Sequence, residues 1–121
     1  MELLKKELIG ANQYELEFKI DKDTFEAEVL QAEGKVVVDF YGDGCVPCAA
    51  LMPHVHAFAE KYGDKLKFCA LNTSKARRLA ISQKILGLPV IAVYERGKMI
   101  DSRVKDEATP ESVEAMIRQY V

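Results

Sequence analysis

Two cysteines separated by two residues are the part of this sequence best suited to chemistry. Cys45 and Cys48 follow an apolar, β-branched run and a Gly-rich turn, which predicts a strand and then a helix that begins at Cys45. The first-turn N–H groups of a helix lack intrahelical partners and stabilise a thiolate beside them. Cα atoms at this spacing lie roughly 5 Å apart, within the range of a disulfide. The pair predicts a redox site with Cys45 as nucleophile and Cys48 as resolving thiol.

Zinc binding or a purely structural role is the alternative for these thiols. Zinc normally takes four N or S ligands, and no second CxxC or His-rich pair accompanies this one. His54 and His56 are two apart on a predicted helix and would not share a face, so we expect one exposed and one packed imidazole rather than a chelate. Cys69 lies in an apolar run and is expected to be a small buried hydrophobe. No metal site is predicted.

An acidic residue interrupts the apolar strand ahead of the cysteines. An ionised Asp39 would be costly there, so it is either a functional group with a perturbed pKa or a strand-end carboxylate that caps local backbone. Asp43, in the turn, either raises the pKa of Cys45 by like-charge repulsion or is a solvated turn residue, and the second interpretation is favoured.

Composition limits the class of protein. A chain of 121 residues with 49% hydrophobic and 30% charged residues is expected to form a single domain, 1–121. A net charge of −2 gives no reason to expect nucleic acid or an anionic membrane as a partner. Charges at the N-terminus argue against a signal peptide, and an odd number of cysteines, three, favours a reducing cytoplasm.

Hydrophobic periodicity and turn residues place the remaining elements. Strands are predicted over 14–20, 36–41, 66–71, 90–94 and 99–104, and helices over 21–31, 46–62, 76–86 and from Pro110. Pro53 should kink the second helix, Gly87 should end the third, and the last two strands should form a hairpin. The order βαβαβαββα predicts an α/β protein whose central sheet is mixed, with helices on both faces.

Several motifs together resemble the thioredoxin family. They are Asp39-Phe40-Tyr41, Cys45-Val46-Pro47-Cys48, Pro53 and Gly87-Leu88-Pro89-Val90. The similarity runs from about Ile20 to the C-terminus and leaves residues 1–14 outside the family pattern as an extension. The Gly-Cys-Val-Pro-Cys form is similar to the atypical thioredoxins of amino-acid-fermenting anaerobic bacteria. The thioredoxin fold is therefore expected.

The resemblance also implies roles for individual residues. Asp39 would be buried and accept the Cys48 proton through water, and the Leu88–Pro89 bond would be cis. Substrate would bind at Gly44, Val46, Pro47, Leu88 and Pro89. The implied function is a protein disulfide reductase, a thiol–disulfide electron carrier without a bound cofactor. It would be a monomer, reduced by a flavoprotein that resembles thioredoxin reductase and acting on disulfide-containing proteins.

The sequence departs from the family around this site. Gly44 replaces a tryptophan, Val46 a glycine, Ala49 a lysine, Ala70 the lysine that accompanies the aspartate, and Lys105 a glycine of the last binding loop. These changes predict a dedicated reductase and dedicated substrates. Two alternatives remain open: a thiol oxidase or disulfide isomerase, because Val46-Pro47 is unusual between the cysteines, and a docking subunit without redox activity.

Overall fold

The computed structural model describes residues 19–121. Its strands are β1 (Lys19–Ile20), β2 (Val36–Tyr41), β3 (Lys67–Asn72), β4 (Val90–Glu95) and β5 (Lys98–Val104). Its α-helices are α1 (Val46–Tyr62), α2 (Arg77–Ser82) and α3 (Pro110–Arg118). A π-helical segment spans Glu26–Leu30, and 3-10 turns span Thr73–Lys75 and Lys105–Glu107. The predicted extension 1–14 and the first part of the predicted strand 14–20 lie outside the described residues.

The five strands form one mixed sheet in the order β1-β3-β2-β4-β5. β2 lies at its centre, parallel to β3 and antiparallel to β4. A strand with neighbours on both sides and helices on both faces is buried, and all residues of β2 except the partly exposed Tyr41 are, which explains its apolar run. Parallel pairing early in the chain and an antiparallel hairpin late confirm the predicted α/β class.

The sheet has a different core on each face. On one face Val37 and Ile91 pack with Leu51 and Val55 of α1, and α3 completes this layer. On the other face Phe25, Phe40 and Tyr94 form an aromatic cluster, with the Phe25 and Tyr94 rings edge-to-face at 5.9 Å. Successive residues of β2 point to opposite faces, so the odd-numbered ones meet α1.

Two predicted helices differ from the observed ones. The helix predicted over 76–86 ends at Ser82, not at Gly87, because Lys84 takes the left-handed conformation (φ 62°) that ends a helix. The N–H of Ile85 then donates to Ala80 O (2.8 Å) and that of Lys84 to Ile81 O (2.9 Å), the pair of bonds of a Schellman motif. A lysine therefore does what the sequence analysis assigned to a glycine.

The helix predicted over 21–31 is mostly a turn followed by the π-helical segment. Asp21 Oδ1 accepts from the N–H groups of Asp23 (2.9 Å) and Thr24 (3.0 Å), which holds these first residues in a turn. Gln31 N–H then donates to Glu26 O (2.8 Å), five residues back. The predicted kink at Pro53, which is exposed within α1, stays a prediction.

Candidate active site

The first turn of α1 carries both cysteines, as predicted. Cys45 is the N-cap residue with an extended backbone (φ −82°, ψ 101°), and its Sγ accepts the Cys48 N–H at 3.2 Å. The two sulfurs form a disulfide with a Cα–Cα distance of 5.2 Å. Cys45 is half-exposed, whereas Cys48 is only 3% exposed. The accessible sulfur is therefore the one that the helix N-terminus faces.

Asp39 is buried in the middle of the sheet, on the face that α1 covers. Its register neighbours are Ala70 on β3 and Ile91 on β4, both members of the apolar core of that face. Its Oδ2 has no hydrogen-bond partner among residues 19–121, and burial raises the pKa of the carboxyl to about 7. The backbone-capping interpretation finds no support at Oδ2, since no described group donates to that oxygen.

The Gly-rich turn before Cys45 is held by the end of the neighbouring strand, a contact that the sequence analysis missed. Asp43 N–H donates to Ser74 Oγ (2.9 Å), and Asn72 Nδ2 donates to Asp43 Oδ1 (3.0 Å). Thr73 Oγ1 donates to Tyr41 O (3.0 Å). Asp43 is thus a structural residue of the turn. The available signal was the polar triplet after β3, because the carboxyl ends of parallel strands lie at the same edge of a sheet.

The segment before β4 lies against the same turn. The Leu88–Pro89 bond is cis, as predicted. A Cβ added at Gly42 would lie 2.9 Å from Leu88 Cδ1, so this glycine allows Leu88 to pack on the turn that leads to Cys45. The N–H of Lys105 donates to Pro89 O at 2.8 Å and ties the loop after β5 to this segment.

The remaining predicted substrate-binding residues line the outside of the helix start. Gly44, Val46 and Pro47 are exposed, Val46 at 77%, and Gly44 has φ 73°, a conformation that favours glycine. The helix start therefore presents the Gly44 backbone and the apolar side chains of Val46 and Pro47 to solvent next to the half-exposed sulfur.

The burial of Cys69, His54 and His56 agrees with the sequence prediction. Cys69 is buried, which raises the pKa of its thiol to about 11. His54 is exposed and His56 half-buried. Between residues 19 and 121 no group of three or more His, Cys, Asp or Glu side chains is arranged to hold a metal ion. In the same range, no helix combines the length and the apolar character needed to cross a membrane.

Comparison with known proteins agrees with this geometry. The family model for thioredoxin matches residues 17–119. A thioredoxin of Acetoanaerobium sticklandii is 53% identical over 104 residues, 86% of this chain and 99% of the relative. One of Peptoclostridium acidaminophilum is 58% identical over 103 residues, 85% of this chain and 94% of the relative. An M-type chloroplast thioredoxin of Chlamydomonas reinhardtii is 36% identical over 83 residues, 69% of this chain and 59% of the relative.

The first two relatives come from amino-acid-fermenting clostridia, as the Gly-Cys-Val-Pro-Cys motif predicted. Thioredoxins are reduced by a thioredoxin reductase and act on disulfide substrates. The fold, the disulfide at the start of α1 and these similarities together show that the chain belongs to the thioredoxin family and is a thiol–disulfide electron carrier of the protein-disulfide oxidoreductase class.

Proposed function

We propose that this protein works as a cytoplasmic protein disulfide reductase, in which Cys45 attacks, Cys48 resolves and Asp39 accepts the proton of Cys48. The observation that carries the proposal is the unequal placement of the two sulfurs. Cys45 is half-exposed at the cap of α1, and Cys48 is buried one turn later. This difference in exposure favours Cys45 as the sulfur that meets a protein substrate.

The first step uses the helix N-terminus. The Cys48 N–H, which contacts Cys45 Sγ at 3.2 Å, stabilises a thiolate at Cys45 when the pair is reduced. That thiolate attacks one sulfur of the substrate disulfide. The substrate S–S bond breaks, a mixed disulfide with Cys45 forms, and the first substrate thiolate leaves and takes a proton from water.

The second step needs a base for a buried thiol. Asp39 lies on the sheet face beneath α1, and burial raises the pKa of its carboxyl to about 7, so both protonation states are populated near neutral pH. In the carboxylate form it accepts the Cys48 proton through water. The Cys48 thiolate then attacks Cys45 Sγ, closes the protein disulfide and releases the second substrate thiol. Ala70 opposite Asp39 supplies no ammonium group to assist, so Asp39 acts without the family's lysine.

The residues around the disulfide that depart from the family pattern, here called the rim, support dedicated partners. A flavoprotein similar to thioredoxin reductase would return the protein to the dithiol state, and substrates would dock on Gly44, Val46, Pro47, Leu88 and Pro89. The exposed Val46 stands between the cysteines where the family commonly has glycine. A reductase shaped for the common rim should therefore reduce this protein slowly. Rapid reduction by a general thioredoxin reductase would contradict this part of the proposal.

The midpoint potential of the Cys45–Cys48 couple tests the direction of electron flow. Equilibration with defined dithiol buffers, read by the mass added on thiol alkylation, suits a chain that contains no Trp. A value near the thioredoxin potential of about −270 mV is expected for a reductant. A value between about −180 and −120 mV would assign the protein to the oxidase or isomerase class instead. Neither of those alternatives, nor the docking subunit, is favoured by an observation in the described residues.

A further inference from the structure

A groove of about 440 Å³ opens beside the Leu88–Pro89 segment, between the end of α2 and strand β5. Its floor is apolar: Ile85 and Val90 are buried, and Val104 is half-buried. Leu86 stands on its rim with 83% of its surface exposed. Such an exposed leucine beside an apolar groove is typical of a surface that a partner covers.

The charges on this groove have one sign. Lys84 and Lys105 are the charged residues among those that line it. The acidic residues that follow Lys105 in the chain, Asp106 and Glu107, line a separate recess with Arg103. Within residues 19–121 neither lysine of the groove forms an ion pair. The groove therefore combines an apolar floor with two ammonium groups that have no acidic partner in the described part of the chain.

Backbone hydrogen bonds hold both lysine positions: the Lys84 N–H donates to Ile81 O, and the Lys105 N–H donates to Pro89 O. Lys84 (φ 62°) ends α2, and Lys105 has a φ of 54°. The Lys105 side chain crosses Gly87, where an added Cβ would overlap it. Both lysines hold left-handed conformations that glycine adopts more easily. This backbone strain therefore occurs at the two positions whose side chains border the groove.

One backbone step joins the lining of the groove to the active-site turn. Gly87 lines it, and the next residue, Leu88, packs against Gly42 in the turn that leads to Cys45. An extended chain advances about 3.3–3.6 Å per residue, so a segment bound at Cys45 reaches past Leu88 within a few residues.

We propose that this groove binds the disulfide-bearing segment of the substrate protein, and that it selects segments with a carboxylate side chain next to an apolar one, a few residues from the reactive cysteine. The apolar side chain lies on the floor beside Leu86, and the carboxylate meets Lys84 and Lys105. The inference rests on the proposed reductase function and adds the chemistry of the substrate that the site prefers.

A glutamate scan tests it. Disulfide-linked peptides would carry Glu, or Gln as the matched neutral residue, at each position within five of the cysteine, next to a leucine. We expect the pre-reduced protein to prefer Glu over Gln by roughly two- to five-fold in kcat/KM at one or two adjacent positions, the size of an exposed charge pair. Added salt should reduce this preference.

Variants assign the preference to the groove. The double variant Lys84→Gln/Lys105→Gln should bring the Glu/Gln ratio to about one, whereas Lys65→Gln, at an exposed lysine between α1 and β3 that does not line the groove, should retain it. Leu86→Ser should lower kcat/KM more for peptides that carry leucine than for peptides that carry alanine at the same position. A redox-inactive peptide with Ser for Cys should shift the amide NMR signals of Leu86 and Gly87 in the wild-type protein.

Each result separates this proposal from the reductase function. A wild-type protein that reduces the Gln peptides and hydroxyethyl disulfide but shows a ratio of one at every position would overturn the groove and leave the function intact. A Glu/Gln preference that is unchanged in the double lysine variant would also overturn the groove and leave the function intact. A wild-type protein that reduces neither peptides nor hydroxyethyl disulfide would overturn both.

Discussion

Helices α1 and α3 begin in nearly the same way, yet only one beginning is a redox site. At α1 Cys45 Sγ accepts the Cys48 N–H (3.2 Å), and at α3 Thr109 Oγ1 accepts the Ser112 N–H (3.1 Å). Each helix has a proline in its first two positions. The cap residue is extended in both, and the accepted N–H lies three residues on.

The surroundings of the two helix starts differ. The face of the sheet under α1 contains Asp39, a buried carboxyl without a partner among the described residues. At α3 the Nε of Arg103 donates to Ser112 Oγ at 3.0 Å, so a guanidinium takes the corresponding place. A capped helix start is thus a common structural device, and it becomes a redox site through a second sulfur and a proton acceptor beneath it.

Cys45→Ser makes the start of α1 resemble that of α3, and we expect the largest effect from it. Serine is a good N-cap, so the variant should fold, but a hydroxyl is no thiolate. Reduction of a disulfide substrate should fall by about three orders of magnitude or more, measured as thiols released per minute. Cys69→Ala, a change at the buried thiol of β3, should retain the wild-type rate. Activity that survives Cys45→Ser would show that Cys45 is not the nucleophile, and a wild-type protein without disulfide-reducing activity would support the docking-subunit alternative.

Asp39→Asn removes the acceptor beneath α1 and should change how stability depends on pH. The wild-type carboxyl has an ordinary pKa of 3.8 when unfolded and about 7 when folded, so the native state binds more protons between these values. The free energy of unfolding should then fall as pH rises through this window, by about 4 kcal/mol at most, and level off above it. Urea unfolding of the oxidised protein at several pH values measures this.

The Asn variant should be more stable than the wild-type protein at alkaline pH, and its stability should vary less across the window. Asp64→Asn, at an exposed aspartate, is the matched control and should follow the wild-type curve. A wild-type curve that rises with pH through this range would show that the native state favours the Asp39 carboxylate.

Thr109→Cys/Ser112→Cys, in a chain with Cys45→Ser and Cys48→Ser, tests whether the capping geometry suffices. The new pair should form a disulfide, because its backbone spacing repeats that of α1. The exposed Asp106 and Glu107 border the recess at this helix start, but no buried carboxyl like Asp39 lies beneath it in the described residues. The pair should therefore reduce a substrate disulfide about 100-fold more slowly than Cys45 and Cys48 do, the typical contribution of general acid–base catalysis. Equal rates would mean that Asp39 contributes nothing.

Thr109→Ala should have the smallest effect. Loss of one N-cap hydrogen bond costs about 1 kcal/mol of the free energy of unfolding, read as a lower urea midpoint at unchanged slope. Disulfide reduction should stay at the wild-type rate, since α3 takes no part in the chemistry. A changed rate would mean that the two helix starts are coupled.

The sequence predicted the elements whose signals are local. The β-branched run of β2, the cap and proline of α3, and the Arg96-Gly97 turn with both φ angles positive depend on neighbouring residues alone. The cis bond at Pro89 and the role of the CxxC pair needed the family resemblance, because spacing by itself does not separate a redox pair from a zinc pair.

What the sequence left unpredicted depends on tertiary contacts. Lys84 in a left-handed conformation follows from the burial of Ile85 against the sheet, which outweighs the local preference for glycine. The hydrogen bonds that Asp43 accepts from Asn72 and donates to Ser74 join residues about thirty positions apart and require the parallel pairing of β2 with β3. The neighbouring sequence therefore predicts neither the conformation of Lys84 nor the hydrogen bonds of Asp43.

The hairpin between β4 and β5 offers a place to attach the protein to a surface. Val36 pairs with Tyr94, so the Arg96-Gly97 tip lies at the end of the sheet opposite Cys45. Lys35 and Glu95 form an ion pair at this end (3.4 Å), and the side chains of Arg96 and Lys98 point into solvent. A linker joined at Lys98 would hold the molecule on an electrode or bead with its disulfide facing outward, where current or substrate turnover can be recorded from every immobilised copy.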